Sequence, residues 1–326
     1  MLPRFRRSSG SGDIPPPPTV RVGTKCYKPL FEPSLARRSR RLCFCTEVPE
    51  YSARPHIISG YRPLPKKPTG LVKTVMHSLT FFHNESGNIL THLVGVIAVP
   101  ILAIYHFFGA GLQLTLLDKI VSGVYFASVF YCFAASVCFH ALSSQPYPTY
   151  QRALSCDMLG IVACILGSFY SGLWVGFRCH PPHAHAYMGG ITLLAAPLIA
   201  IVAVPRLRRN CLLSYPVFAF VIFSGLVPTY QFALMMRADA EDRSMSNYVI
   251  VWSLLAMFAC YALGMLVFTT RFPECFFPGK FDYVFASHQF WHLMVMLAFL
   301  VQYLGQLFVW IRRSQGLDLC STMLAS

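Results

Sequence analysis

FASHQFWHLMVMLAFLVQYLGQLFVWI, residues 285–311, contains no Lys, Arg, Asp or Glu. About 20 mostly apolar residues in a helix cross the roughly 30 Å hydrocarbon core of a bilayer, so this run is long enough to span one. It does not alternate apolar and polar positions as a barrel strand would, and a helix satisfies its own backbone polar groups where there is no water. His288 and His292 stand four residues apart inside it, so their Cβ atoms lie about 5–6 Å apart on one helix face.

Six further runs of the same kind precede it, at approximately 88–110, 120–142, 154–177, 186–204, 212–236 and 247–268. Composition agrees with a chain that mostly faces lipid and itself. The 326 residues are 55% apolar and only 12% charged, against about 25% charged in soluble domains. A soluble enzyme, a disordered tail protein and a disulfide-stapled secreted domain are excluded. The expected fold is an all-α integral membrane bundle of seven helices.

The net charge of +14 would suit nucleic acid, but it is localised: 15 of the 27 Lys/Arg lie in residues 1–73, with only Asp13, Glu32, Glu47 and Glu50 to balance them. No nucleic-acid partner is expected. Alternating the connections across the membrane puts 21 Lys/Arg on the side of the N-terminus and six on the other. The positive-inside bias then predicts an inverted topology, N-terminus cytosolic and C-terminus extracellular or lumenal. The organisation read from this is a disordered basic arm at 1–55, a membrane-proximal segment at 56–87 with a short interfacial helix (Leu71 to Phe82), the bundle at 88–311 and an outer tail at 312–326. The arm holds SGSG, PPPP and RRSRR and no apolar leader. The sequon Asn84-Glu85-Ser86 faces the cytosol on this topology and should be unmodified.

Ionisable side chains inside a membrane are costly and mark function. The seven runs hold one acid, Asp157, and five histidines: His92, His106, His140, His288 and His292. On the predicted topology His140, Asp157, His288 and His292 share one depth, at the cytosolic leaflet. The i, i+4 pair with His140 as a third nitrogen suits Zn²⁺ with an open position; Asp157 is a fourth ligand or the partner of a water. Helix packing is the competing explanation of each residue taken singly. Ser136 is one turn before His140 on the same face, within reach of that water or of a polarised carbonyl. Glu85, Asn88, Thr91 and His92 either line the same cavity or serve the first helix and its neighbours. The run from Arg178 to His185 reads as a solvated outer loop. Of the 12 cysteines, Cys179 and Cys320 fall on the outer side, where a disulfide can form.

Four blocks of residues resemble the progestin and adipoQ receptor family: Gly60-Tyr61-Arg62-Pro63; His83 to His92, with its Asn84-Glu85, Asn88 and Thr91-His92; Ser136 and His140 followed by Asp157 and Gly160; and Phe277 to Asp282 followed by Ser287-His288-Gln289 and His292. The resemblance implies the inverted seven-helix bundle, a zinc ion held by His140, His288 and His292, Asp157 linked through water and Ser136 near it. It also implies a receptor with ceramidase-like lipid amide hydrolase activity, Asp157 and Ser136 being the catalytic residues. The alternative is a non-catalytic hormone or lipid receptor, or a membrane scaffold, with a structural zinc. The implied partner is a membrane lipid, ceramide or fatty acid, within the bundle. An extracellular hormone or steroid ligand and a homo-oligomer are left open, as is the choice between plasma membrane and Golgi or endoplasmic reticulum. A transporter is the weaker third reading, since Pro100, Pro197, Pro216 and Pro228 only partly suggest broken spans.

Overall fold

The computed structural model describes residues 42–65, 70–238 and 245–317. RRSRR at 37–41 and the rest of the arm before it lie outside them. A short helix, α1 (Leu71–Ser78), precedes α2 (Ser86–Ile104), which ends in a π-turn at Tyr105–Gly109. There follow α3 (Leu116–Leu142), α4 (Tyr147–Gly176), α5 (Pro181–Ala203), the single turn α6 (Pro205–Arg209), α7 (Cys211–Phe223), α8 (Leu226–Ala238), α9 (Met245–Thr270) and α10 (Ser287–Ser314). Seven segments are long and apolar enough to cross a membrane, and each overlaps one of the seven runs read from hydropathy. The chain is an all-α integral multi-pass membrane protein.

Differences from the expected boundaries have local causes. α3 begins at Leu116 rather than 120, because Thr115 and Asp118 form a reciprocal cap: Asp118 N–H donates to Thr115 Oγ1 and Thr115 N–H to Asp118. The run from His180 to His185 is not a loop. Pro181 opens α5 there, since proline suits a first helical position, and His183 and His185 sit in its first turns. Pro100, Pro197 and Pro216 lie inside continuous helices. Among the described residues the fifth span alone is interrupted, at Ser224-Gly225 between α7 and α8.

α3 packs most extensively on α4, and α10 on α9. Lipid tails are as apolar as leucine, so close backbone approach and polar contacts hold such helices together. Gly160 supplies the first: a Cβ there would stand 2.8 Å from Cys132 Cα. Ser171 Oγ–H donating to Gln306 at 2.7 Å and the Gln302 amide donating to the Ser168 carbonyl at 2.8 Å supply the second, between α4 and α10. At the end of the bundle away from the N-terminal segment, Asp118 accepts from Trp174 Nε1 at 2.8 Å and from Arg178, whose guanidinium also lies over the Trp174 ring. Cys179, next to Arg178, is disulfide-bonded; Cys320, its expected partner, lies outside the described residues.

Residues 42–55, grouped with the disordered arm on composition, are folded onto the bundle instead. Cys43 pairs with Tyr61 as an antiparallel bridge, Tyr51 donates to the Gln145 carbonyl at 3.1 Å and Arg54 reaches Glu85. Their polar composition reflects this work: they close the end of the bundle where helix-terminal carbonyls and buried charges need partners. Arg62 shows how. Its guanidinium donates to the carbonyls of His140 and Ala141 at 2.6 and 2.7 Å and to Ser78 and Ser143. Three acceptors at the negative end of α3, with Ser78 of α1, hold this cation in place, although burial lowers its pKa to about 10. Asp282 accepts from the backbone of Ile58 and Ser59 at 3.0 and 2.8 Å, joining the segment to the α9–α10 connection. Asn84 is buried within this closure.

Candidate metal centre

Three helices meet where this closure covers the bundle. α3 brings His140 from its last turns, α10 brings His288 and His292 from its first turns, and α2 brings Asn88, Thr91 and His92. One ring nitrogen from each of His140, His288 and His292 lies within 4.8 Å of the other two. His140 and His292 are buried and His288 half-buried.

Two of the three rings are oriented by their second nitrogen. His140 Nδ1 donates to Glu85 at 2.8 Å, leaving Nε2 as a lone pair toward the cluster. Burial alone would raise the Glu85 pKa, but Arg54 and His140 outweigh it and hold the carboxyl well below the usual carboxylate range. Arg54 Nε at 3.2 Å and the Asn88 amide at 2.6 Å complete that carboxylate's partners. His292 Nδ1 faces the Asn88 carbonyl and Thr91 Oγ1, both at 3.1 Å, which frees its Nε2 in the same way. His288 Nε2 stands 3.3 Å from His140 Nε2. Two ligands about 2.0–2.1 Å from one ion at a tetrahedral angle are separated by about 3.3 Å. A carboxylate or carbonyl behind each of two imidazoles is also the usual support of metal-ligating histidine. The donor set fits a metal ion.

Glu85→Gln keeps the shape of that support and removes its charge. We expect metal affinity to fall about 10- to 100-fold, read by competition with a chelating dye. Unchanged affinity would show that Glu85 serves only the packing around Arg54 and Asn88.

His288 and His292 open on a cavity of about 70 Å³ whose wall includes His92, Ser136, Asp157 and Tyr261. Ser136 is one turn from His140 as expected, and its buried Oγ has no hydrogen-bond partner among the described residues. Asp157 is in the wall but outside the group of mutually close ligands. Ile165, Ile222 and Tyr261 are shared with a second, smaller chamber of about 50 Å³, lined by Phe169, Leu254, Met257, Phe258 and the break at Gly225. His106 does not join the site: it lies in the π-turn at the far end of α2, against Phe126 and Tyr303.

Sequence reasoning left Glu85, Asn88, Thr91 and His92 undecided, and the structure puts all four at the cluster. Their spacing was the available signal, since residues 85, 88 and 92 share one helix face. Arg54 carried no such signal, because its partner is distant in sequence.

A seven-helix membrane bundle with a buried three-histidine centre, opening on an internal chamber, is the class that fold and site define. The chain belongs to the haemolysin-III related family, whose profile matches residues 80–303. It is 30% identical over 270 residues to the adiponectin receptor protein of Drosophila melanogaster, covering 82% of this chain and 59% of that protein. It is 30% identical over 248 residues to progestin and adipoQ receptor-like protein 1 of Caenorhabditis elegans, covering 76% and 55%. An ADIPOR-like receptor of Eremothecium gossypii is 31% identical over 282 residues, covering 82% and 84%. The chain thus spans between half and two thirds of the length of the first two relatives. The resemblance to progestin and adipoQ receptors carried by the four motif blocks is borne out.

Proposed function

We propose that the protein is a zinc-dependent lipid amide hydrolase of ceramidase type, housed in a seven-helix receptor of this family. The observation that carries the reading is the shared cavity: His288 and His292 of the three-histidine group, with Ser136 and Asp157, line one space, and Ile165, Ile222 and Tyr261 of its wall also line an apolar chamber. Three imidazoles without a thiolate suit Zn²⁺ among the common metals. Bound there, zinc supplies Lewis acidity to an amide carbonyl and to water.

The chain's own residues do the rest. The apolar chamber takes part of the acyl chain. Asp157 accepts a proton from the attacking water on a carboxylate oxygen and returns it to the departing amine nitrogen. Water and amide become carboxylic acid and amine. Ser136 donates its hydroxyl to the oxyanion. On the inverted topology proposed from the charge bias, the cluster sits at the cytosolic leaflet, near the headgroup boundary where a lipid amide resides.

The relatives' names favour a second reading, a receptor in which the metal only ties α3 to α10. Ceramide turnover by full-length protein in proteoliposomes separates the two. We expect chelation to abolish turnover at a temperature where the fold persists, and zinc to restore it. A folded protein with no turnover before chelation would leave the receptor reading.

A further inference from the structure

The N-terminal closure holds a groove of about 730 Å³ whose wall includes Arg62, Lys73, Thr74, His77, Ser144 and Gln145. It shares no lining residue with the metal-centre cavity, and the chemistry above does not use it. Arg62 is a buried cation, 7% exposed. A guanidinium has five N–H donors. Four of them go to neutral acceptors, the carbonyls of His140 and Ala141 and the hydroxyls of Ser78 and Ser143. Its Nε–H has no acceptor among the described residues, and no carboxylate there stands within ion-pair distance of it. Glu85 favours the cation from further off, but that carboxylate is held by Arg54 and His140. A buried charge needs a counter-charge as well as hydrogen bonds. Lys73 and His77 bring two exposed basic side chains to the same wall. Glu47 is the one acid among the lining residues, and it accepts from the Phe44 N–H of its own turn at 2.9 Å. The groove is complementary to an anion.

The source of that anion follows from α1. At 3.6 residues per turn this helix has three faces. Thr74 and Ser78 are buried against the protein, and Val75 packs beside them on Ile89 and Ala141. Lys73 and His77 form the face on the groove. Val72, Met76 and Leu79 form the third, more than 100° around the helix from Thr74 and Ser78, and are 75, 59 and 41% exposed. An apolar face flanked by a basic one belongs to a helix lying in a membrane interface. On the topology proposed from the charge bias, this end of the bundle meets the cytosolic leaflet, whose surface is negative. We propose that the groove binds the headgroup of an anionic phospholipid of that leaflet, with the apolar face of α1 set among the acyl chains. The phosphate lies toward Lys73 and Arg62. Ser144 and Gln145 add a hydroxyl and an amide to the wall, which suits a headgroup that itself carries hydroxyls, a phosphoinositide. A free phosphate would leave Val72, Met76 and Leu79 without a partner. The inference does not rest on the hydrolase reading.

Full-length protein in a nonionic detergent is titrated with three probes: dioctanoyl phosphatidylinositol 4-phosphate, dioctanoyl phosphatidylcholine and inositol 1,4-bisphosphate. Bound species are counted by native mass spectrometry, and melting temperature and metal content are recorded on the same samples. We expect the anionic lipid to bind about tenfold more tightly than either other probe. Lys73→Glu, at an exposed position, should remove that preference and leave metal content and phosphatidylcholine binding unchanged, whereas Lys73→Arg should keep it. Val72→Ser/Met76→Ser should weaken the anionic lipid and not the inositol bisphosphate. Phosphatidylcholine binding as tightly as the anionic lipid, or Lys73→Glu without effect, overturns the inference. Inositol bisphosphate binding as tightly as the lipid makes the groove a site for a soluble anion and overturns it as well.

Discussion

Purified full-length protein carries about one zinc per chain, and the double variant His288→Ala/His292→Ala carries none: this is the largest effect expected of any substitution in the bundle. α10 supplies two of the three grouped imidazoles, and one remaining histidine does not hold the ion against water. The variant should still insert and fold, because α10 packs extensively on α9 and hydrogen-bonds α4 through Gln302 and Gln306, away from the two histidines. Its melting temperature should no longer respond to added zinc, since a ligand stabilises only the state that binds it. Elemental analysis beside size-exclusion chromatography and thermal unfolding reads all three points. Folded wild type without metal would reduce the cluster to helix packing and end the hydrolase reading. Full metal occupancy in the double variant would place the ion elsewhere.

Asp157→Asn should lower ceramide turnover by about 10²- to 10⁴-fold, the range of a lost general base, with zinc content unchanged. The amide is isosteric with the carboxyl and cannot take up the proton. Asp157 lies in the cavity wall with Ser136 and the histidines but outside the ligand group, so metal binding and turnover should separate. Loss of metal and activity together would make Asp157 a ligand. Unchanged turnover would remove it from the chemistry. Ceramide cleavage in proteoliposomes with metal analysis of the same preparation decides among the three.

Local patterns carried much of this. Hydropathy runs of about 20 residues are properties of the chain at each point, so the seven spans were legible, including their order. So was the face shared by His288 and His292, and that shared by Ser136 and His140, because helical spacing alone sets them. Alternating the spans placed His140 and the α10 pair at one end of the bundle, where the structure also puts them. The sequence by itself therefore determined the membrane class, the number of spans and which polar residues could meet.

The tertiary structure decided which of them do and in what state. Glu85 stands behind His140 because α2 packs against α3 at one rotation about its axis, and nothing in either helix's own sequence states that rotation. His106 has the same residue type and burial as His92, but rise along α2 carries it to the other end. Arg54 and Arg62 look like tail charges until the chain doubles back and presents them to Glu85 and to the carbonyl end of α3. Spacing is local and survives in one dimension. Helix rotation, chain return and the partner on each imidazole's second nitrogen are fixed only when separate segments exclude lipid and water together.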